Sequence, residues 1–284
     1  MKFVECKHIS LPLLFALFFL HLLSSRPSIK DTGMGPASSK RKSKNNIINN
    51  NDKNEEPLLR MYHGPEFFVE PNHLDSIDIT GLFPGRLKDI NSIHLEGVMH
   101  KGTWIMISDV NDTLFVAKRS KDMKTCPNAW GFIGEHFASD ERLNQNVRRC
   151  LEEELGPHIV SEIQTIEELF PQPLFYKKDY PTTTADKKKK EDEKETKGQQ
   201  RKDRQITYAV IVKLGKSYTD MDPSLQFANE IVNHKWITAK ELQVWLSNDN
   251  DKNSQEMEFC DSEMLELMIQ MNQEYLNRLT KGSN

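Results

Sequence analysis

The sequence lacks the compact signatures by which most catalytic and metal sites announce themselves. Its nine histidines show no H-x3-H or H-E-x2-H spacing, and no pair of its four cysteines stands at zinc-site spacing. No G-x4-G-K-[ST] loop offers amides to a phosphate, and no G-x-S-x-G elbow raises a serine nucleophile. These absences exclude a metal site built from local spacing, a P-loop nucleotidase and a serine hydrolase of the elbow type. A surplus of one charge is lacking too: the formal net charge is -4, so no global field draws nucleic acid.

Apolar surface is missing from two stretches. Residues 26–56 are rich in Ser, Lys and Asn, including Lys40-Arg41-Lys42-Ser43-Lys44, and bury too little to offset ordering entropy; they read as a solvated linker. A second Lys/Glu-rich stretch, placed at 182–204, reads as a disordered loop inserted between two strands of one domain. Ahead of the linker, Lys2 and Lys7 precede an apolar run at 11–23 that is shorter than the ~20 residues of a spanning helix. Residues 1–25 therefore predict a signal peptide, with a short type II signal anchor as the rival. The expected location is the secretory pathway, secreted or in the ER/Golgi lumen, with membrane contact only if the segment is uncleaved. Removing it leaves Cys126, Cys150 and Cys260, an odd count that cannot fully pair within one molecule. Asn111-Asp112-Thr113 is a glycosylation sequon in a predicted turn.

Residues 57–284 read as one domain. Short strands are predicted at 93–99, 104–108 and 114–118, with 109–112 as a hairpin turn. The segment 130–134 follows, then a helix within 141–155 whose Leu143, Val147, Leu151 and Leu155 form one apolar stripe, ended by Gly156-Pro157. Strands are predicted again at 163–170, 206–214 and 233–237. A helix capped by Thr238 carries Leu242, Trp245 and Leu246, and a last helix near Asp261 buries Met264, Met268, Met271, Tyr275 and Leu279.

Chemistry concentrates on the helix at 141–155. Arg149 and Glu153 stand four apart and pair, while Cys150 and Glu154 form an adjacent column aimed at a site. Carboxylates at Glu154, Glu153 and Glu141 suit Mg²⁺, a hard ion that takes oxygen ligands and bridges phosphates. The run from Gly134 to Gly156 resembles the Nudix box, G-x5-E-x7-R-E-U-x-E-E-x-G-U, with Glu141, Arg149, Leu151, Glu153, Glu154 and Gly156 in register. A later stretch, from Glu230 through Trp236-Ile237 to Glu241-Leu242, is similar to the E-x5-W-hydrophobic-x3-E-L segment common in that family. The resemblance implies an α/β (α+β) Nudix fold, a mixed β-sheet sandwiched between helices. It also implies a Mg²⁺- or Mn²⁺-dependent hydrolase that cleaves a diphosphate linkage in a nucleoside diphosphate derivative. In that reading Glu154, Glu153 and Glu230 are catalytic, and Glu154, Glu153, Glu141 and Glu135 hold metal. Arg149, Gly134 and Gly156 support the structure, and the partner is a small-molecule diphosphate.

The chain departs from the box at two positions. Glu135 replaces its first Gly and Cys150 replaces the Glu after the Arg; a thiol is a poor substitute for a carboxylate toward Mg²⁺. The alternative is therefore a catalytically impaired Nudix-fold binding or scaffold protein of the secretory pathway. A third reading, a diverged diphosphate isomerase, comes from Trp130, His136 and Arg148-Arg149, which resemble the isopentenyl-diphosphate isomerase branch. His136 falls where that branch has a metal-binding histidine, so it is a candidate ligand, but the branch's cysteine would fall at Gly134 and no Glu-x-Glu stands near 206–212.

Overall fold

The structure is a computed structural model, and it describes residues 58–123, 125–180, 200–248, 259–260 and 262–282. The expected targeting segment, the linker and residues 182–199 of the charged insertion lie outside the described residues. Among the described residues no helix is long and apolar enough to cross a membrane.

Among the described residues, one ten-stranded mixed sheet organises the fold. Its centre is β3 (Met99–Ser108), which pairs in parallel with β9 (Lys202–Leu214) and antiparallel with β4 (Thr113–Arg119) and β6 (Ile133–His136). Around these lie β1 (Leu59–His63) with β2 (Phe83–Lys88), the short β5 (Trp130–Gly131), β7 (Ile163–Glu168) and β8 (Leu174–Asp179) on β9, and β10 (Ile231–Thr238) on β4.

Both faces of the central strands are apolar, as a sheet covered on both sides requires. Trp104 and Met106, Leu114 and Val116, and Ala209 and Ile211 point to one face. There they meet Leu242 and Leu246 of the helix Ala239–Asn248 and Met264, Met268, Met271 and Tyr275 of the helix Ser262–Gly282. The alternating partners Ile105 and Ile107, Phe115 and Ala117, and Val210 and Val212 point to the other face. There Val147, Leu151 and Leu155 of the helix Leu143–Leu155 close over them. The expected stripe on that helix and the methionine stripe on the last one are thus core. Thr238 Oγ1 accepts from Glu241 N at 3.2 Å, the cap read from the sequence. Cys126 and Cys260 form a disulfide, which leaves Cys150 as a buried free thiol.

Two assignments change. The predicted strand at 93–99 is a helix, α1 (Ile90–Glu96), because Asp89 accepts from Ser92 N at its start and Gly97, at φ 65°, ends it in the left-handed region. Residues 202–204, assigned to the charged insertion, open β9 instead. Asp203, Gln205 and Thr207 alternate inward as buried polar residues, so the polarity that suggested a loop belongs to the lining of a site. The box helix, α2 from here on, starts at Leu143, two residues later than its predicted first position.

Candidate active site

The site is assembled around β6. Register on β3 sets Thr103 opposite Glu135 and Trp104 opposite Gly134. A Cβ added at Gly134 would lie 3.2 Å from Thr103 O and from the Trp104 ring, so a side chain there would push on the strand beneath. Gly156, at φ 90°, ends α2 where other residues would be strained.

Arg149 ties α2 to this strand. Its Nε donates to Glu141 Oε1 at 3.0 Å, its Nη1 to Glu153 Oε2 at 3.0 Å, and its Nη2 to Glu141 Oε2 at 3.1 Å and His136 O at 2.8 Å. Glu135 Oε2 lies 3.4 Å from the same guanidinium. Glu141 accepts further bonds from Ala138 N and Asn146 Nδ2. With its oxygens taken up by Arg149, Asn146 and the loop amide, Glu141 acts as a brace where it stands.

Glu154, the last residue but one of α2, faces Glu230 across a small cavity lined by Ala117, Arg119, Phe132, Gly134 and Ile231. Its Oε2 is buried and has no hydrogen-bond partner. Burial first, and then the charges of Glu230 and Glu135, push the Glu154 carboxyl up to about 7. Burial likewise raises Glu135, against the pull of Arg149. Arg119, with its guanidinium lowered by burial and held charged by Glu230 and Glu154, donates to Thr125 O and Oγ1 at 3.2 and 3.3 Å. Glu135, Glu153, Glu154 and Glu230 thus share one electrostatic neighbourhood, while Glu141 is turned into the Arg149 network. Cys150 is fully buried among Val147, Leu151 and the sheet, and burial pushes its thiol well up, so it stays protonated and offers no anionic ligand. Asn111 is exposed in the β3–β4 turn, with its Nδ2 donating to Ser217 Oγ at 3.3 Å.

The other end of β6 holds a group that sequence reasoning missed apart from His136. His94 on α1, His100 on β3, His136 on β6 and Asp203 on β9 each bring one ligand-type atom within 4.8 Å of the others, and together they could hold a metal ion. Burial pushes the His94 and His136 imidazoles down to about 3, so both are neutral at neutral pH. A cleft lined by Trp104, Arg119, Glu135, His136, Tyr176 and Asp203 opens onto this group, and Arg119 and Gly134 also line the Glu154 cavity. The signal that would have found it is period-2 alternation running back from Ile211 and Ala209 through Thr207 and Gln205 to Asp203.

Residues 98–257 match the NUDIX domain family. No curated protein matches the sequence. Among solved structures, the chain is similar to the MutT protein from Methanosarcina mazei Go1, at 14% identity over 62% of this chain and 95% of that one, with a TM-score of 0.37. It is similar to the NUDIX domain of Shewanella oneidensis NrtR, solved with ADP ribose, at 16% identity over 62% and 86% of the two chains, TM-score 0.36. It is also similar to a C. elegans Ap4A hydrolase, at 14% identity over 64% and 98%, TM-score 0.34. The family match spans more than half of the chain and takes in β3 through β10 with the whole of the box helix; the chain belongs to the NUDIX domain family.

Proposed function

We propose that the protein is a Nudix-type hydrolase that cleaves a diphosphate linkage in a small nucleoside diphosphate derivative with the help of Mg²⁺ or Mn²⁺. The observation that carries this reading is the buried, partnerless Oε2 of Glu154 facing Glu230, with Arg119 beside them. An orphaned carboxylate oxygen among other carboxylates fits a hard divalent cation. Bound there, the cation supplies charge neutralisation on the phosphate oxygens. Glu154 and Glu153 would hold it, and Glu135, whose Oε1 accepts from His136 N and whose Oε2 lies 3.4 Å from Arg149, would have to give up one of these contacts to add a further oxygen. Glu230, exposed at the cavity rim, takes the proton of the attacking water. Arg119 supplies fixed positive charge toward the diphosphate, and Arg149 keeps Glu153 and the β6 backbone in place.

The second reading, a binding protein impaired in catalysis, is favoured by Cys150, which puts an uncharged thiol where the box carries a carboxylate. A panel of nucleotide sugars and dinucleoside polyphosphates incubated with Mg²⁺ or Mn²⁺ separates the two. Turnover that disappears in Glu154→Gln supports the hydrolase. No turnover by the pure protein, unchanged in Cys150→Glu, with ligand binding independent of metal, supports the binding protein.

A secretory location is part of the proposal and is supported by the Cys126–Cys260 disulfide, since such bonds persist in oxidising compartments. A mobility shift on glycosidase treatment, lost in Asn111→Gln, tests it.

A further inference from the structure

Arg119 stands beside the carboxylate cavity without closing on it. It lines that cavity together with Glu154 and Glu230, whose charges hold its guanidinium charged against burial. Among the described residues it nevertheless makes no ion pair with either. Its Nε donates to Thr125 O at 3.2 Å and its Nη2 to Thr125 Oγ1 at 3.3 Å. A guanidinium binds a carboxylate more strongly than it binds a carbonyl and a hydroxyl. Thr125 must therefore be held firmly for two neutral acceptors to win, and the same restraint leaves Glu154 Oε2 without a partner.

Thr125 opens the segment 125–129 between β4 and β5. Cys126, at φ 50°, and Asn128, at φ 60°, take the left-handed backbone, which persists only where the surroundings impose it. Hydrogen bonds close the far end of the segment on β4, from Asn128 N to Ser120 O at 3.4 Å and from Arg119 N to Ala129 O at 2.9 Å. A covalent bond fixes the near end, where Cys126 is joined to Cys260 across 134 positions. Cys260 is itself anchored: Phe259 bridges to Trp130, and Met264 of the last helix packs in the core. The disulfide thus ties the residue after Thr125 to the base of that helix, and Thr125 and Met264 both line the cleft that Arg119 enters.

Lys178 makes the bond open to exchange. Its Nζ lies 3.7 Å from Cys260 Sγ and 3.9 Å from Cys126 Sγ. Cys126 is half-buried and Cys260 buried, so an incoming thiolate reaches the Cys126 sulfur. Its attack forms a mixed disulfide with Cys126 and breaks the Cys126–Cys260 bond. Cys260 leaves as a thiolate beside the Lys178 ammonium, which stabilises it. The second thiol of a dithiol reductant then displaces Cys126. One dithiol is oxidised to its disulfide, and its two protons pass to Cys126 and Cys260.

We propose that the Cys126–Cys260 disulfide is a reducible strut that positions Arg119, and that a dithiol reductant turns the site off by releasing Thr125 and letting Arg119 close on Glu154 and Glu230. The proposal rests on the carboxylate site described under the proposed function. With the bond intact, the guanidinium stays beside the cavity and the carboxylates are free for a cation. With the bond reduced, the guanidinium takes the place of the cation. Thr125, Cys126 and Cys260 are positioning residues that act through Arg119.

Mn²⁺ alone is the probe, read by its paramagnetic resonance on the full chain without substrate, and Glu154→Gln marks the part of the binding that belongs to the carboxylates. On treatment with a dithiol, that affinity should fall about tenfold. Hydrogen exchange at 125–129 should rise about tenfold while α2 keeps its protection. Arg119→Gln, which removes the competing cation, should make Mn²⁺ affinity indifferent to the reductant. Exchange unchanged by the reductant, or an equal fall in affinity in Arg119→Gln, overturns the strut. Where the reduced chain unfolds throughout, Thr125→Val decides, because it removes the Oγ1 acceptor and leaves the disulfide. It should weaken Mn²⁺ binding about threefold, and not at all when combined with Arg119→Gln; unchanged binding in the single variant overturns the strut. An oxidised wild type whose carboxylates bind no Mn²⁺ counts against the hydrolase reading itself, and exchange at 125–129 then decides the strut alone.

Discussion

The two ends of β6 place opposite chemistry on one strand. Toward Gly134, the surroundings are carboxylates: Glu154 with a buried free oxygen, Glu230 at the rim, and Glu135 and Glu153 leaning on Arg149. At His136 they are imidazoles closed around a single carboxylate, more deeply buried than the carboxylate end. One end suits a hard ion exchanged with substrate, and the other a borderline ion held within the fold. Arg119 and Gly134 line the cavities at both ends, so two sites that differ in ligand chemistry share a wall.

The largest expected effect breaks the comparison at the carboxylate end. Glu154→Gln keeps the shape and removes the charge, and diphosphate hydrolysis in Mg²⁺ should fall by about 10²–10³ while Co²⁺, as a probe of the histidine group, binds as before. If Glu154→Gln and Asp203→Asn each remove both properties, the ends are one site and the comparison fails.

Arg149 is the next test, because it holds the carboxylate end to the strand that carries both. Arg149→Met removes two donors from Glu141, which is largely buried, and one from the His136 carbonyl. The loss should be about 2–3 kcal/mol in urea unfolding, with Glu141→Gln costing less because its other donors, Ala138 N and Asn146, remain. A loss below about 0.5 kcal/mol, the range of an ordinary surface substitution, would mean that the network is decorative.

How legible each end was follows from how each is built. The carboxylate end is contiguous: Arg149, Glu153 and Glu154 stand on one helix, and helical period alone sets which of them face the same way. Glu230 came from a second local stretch near β10. The histidine end is drawn from α1, β3, β6 and β9, joined only by sheet register, and local spacing cannot report a site whose ligands are up to 109 positions apart, from His94 to Asp203. Two local misreadings hid it further. The residues flanking His94 read as strand until the Asp89 and Gly97 caps were seen to bound a helix, and Asp203 lay in a run so charged that it read as loop. Glu141 shows the converse: the box register placed it among the metal carboxylates, whereas its bonds from Arg149, Asn146 and Ala138 use it as a brace of the helix.

The ends should also answer pH with opposite signs in the metal-free protein. Glu154 is raised from 4.5 to about 7, so the fold holds its proton more tightly than the unfolded chain does, and its contribution is full below 4.5 and lost as pH rises toward 7. His94 and His136 are lowered from 6.5 to about 3, so their contribution is full above 6.5 and lost as pH falls toward 3. Between these limits the slopes oppose. Urea unfolding from pH 4 to 8 should show Glu154→Gln steepening the acid loss and His136→Gln flattening it, each by about 1–2 kcal/mol after allowance for screening. The same slope in both variants would mean that neither end titrates as its burial requires.

The smallest effect concerns Arg201, whose Nη2 lies 2.9 Å from His94 Nδ1. A guanidinium can only donate, so Nδ1 accepts and the neutral ring carries its proton on Nε2, the atom turned toward Asp203. An ion bound at Nε2 must move that proton to Nδ1, where it would meet the Arg201 N–H groups head on. Arg201 therefore competes with the ion by holding the wrong tautomer and by adding a positive charge nearby. Arg201→Gln offers Nδ1–H a carbonyl acceptor and removes the charge, and Co²⁺ should bind about fivefold more tightly, close to 1 kcal/mol. Weaker or unchanged binding would show that His94 contributes through Nδ1 or not at all, and would leave His100, His136 and Asp203 as a three-ligand set with an open fourth position.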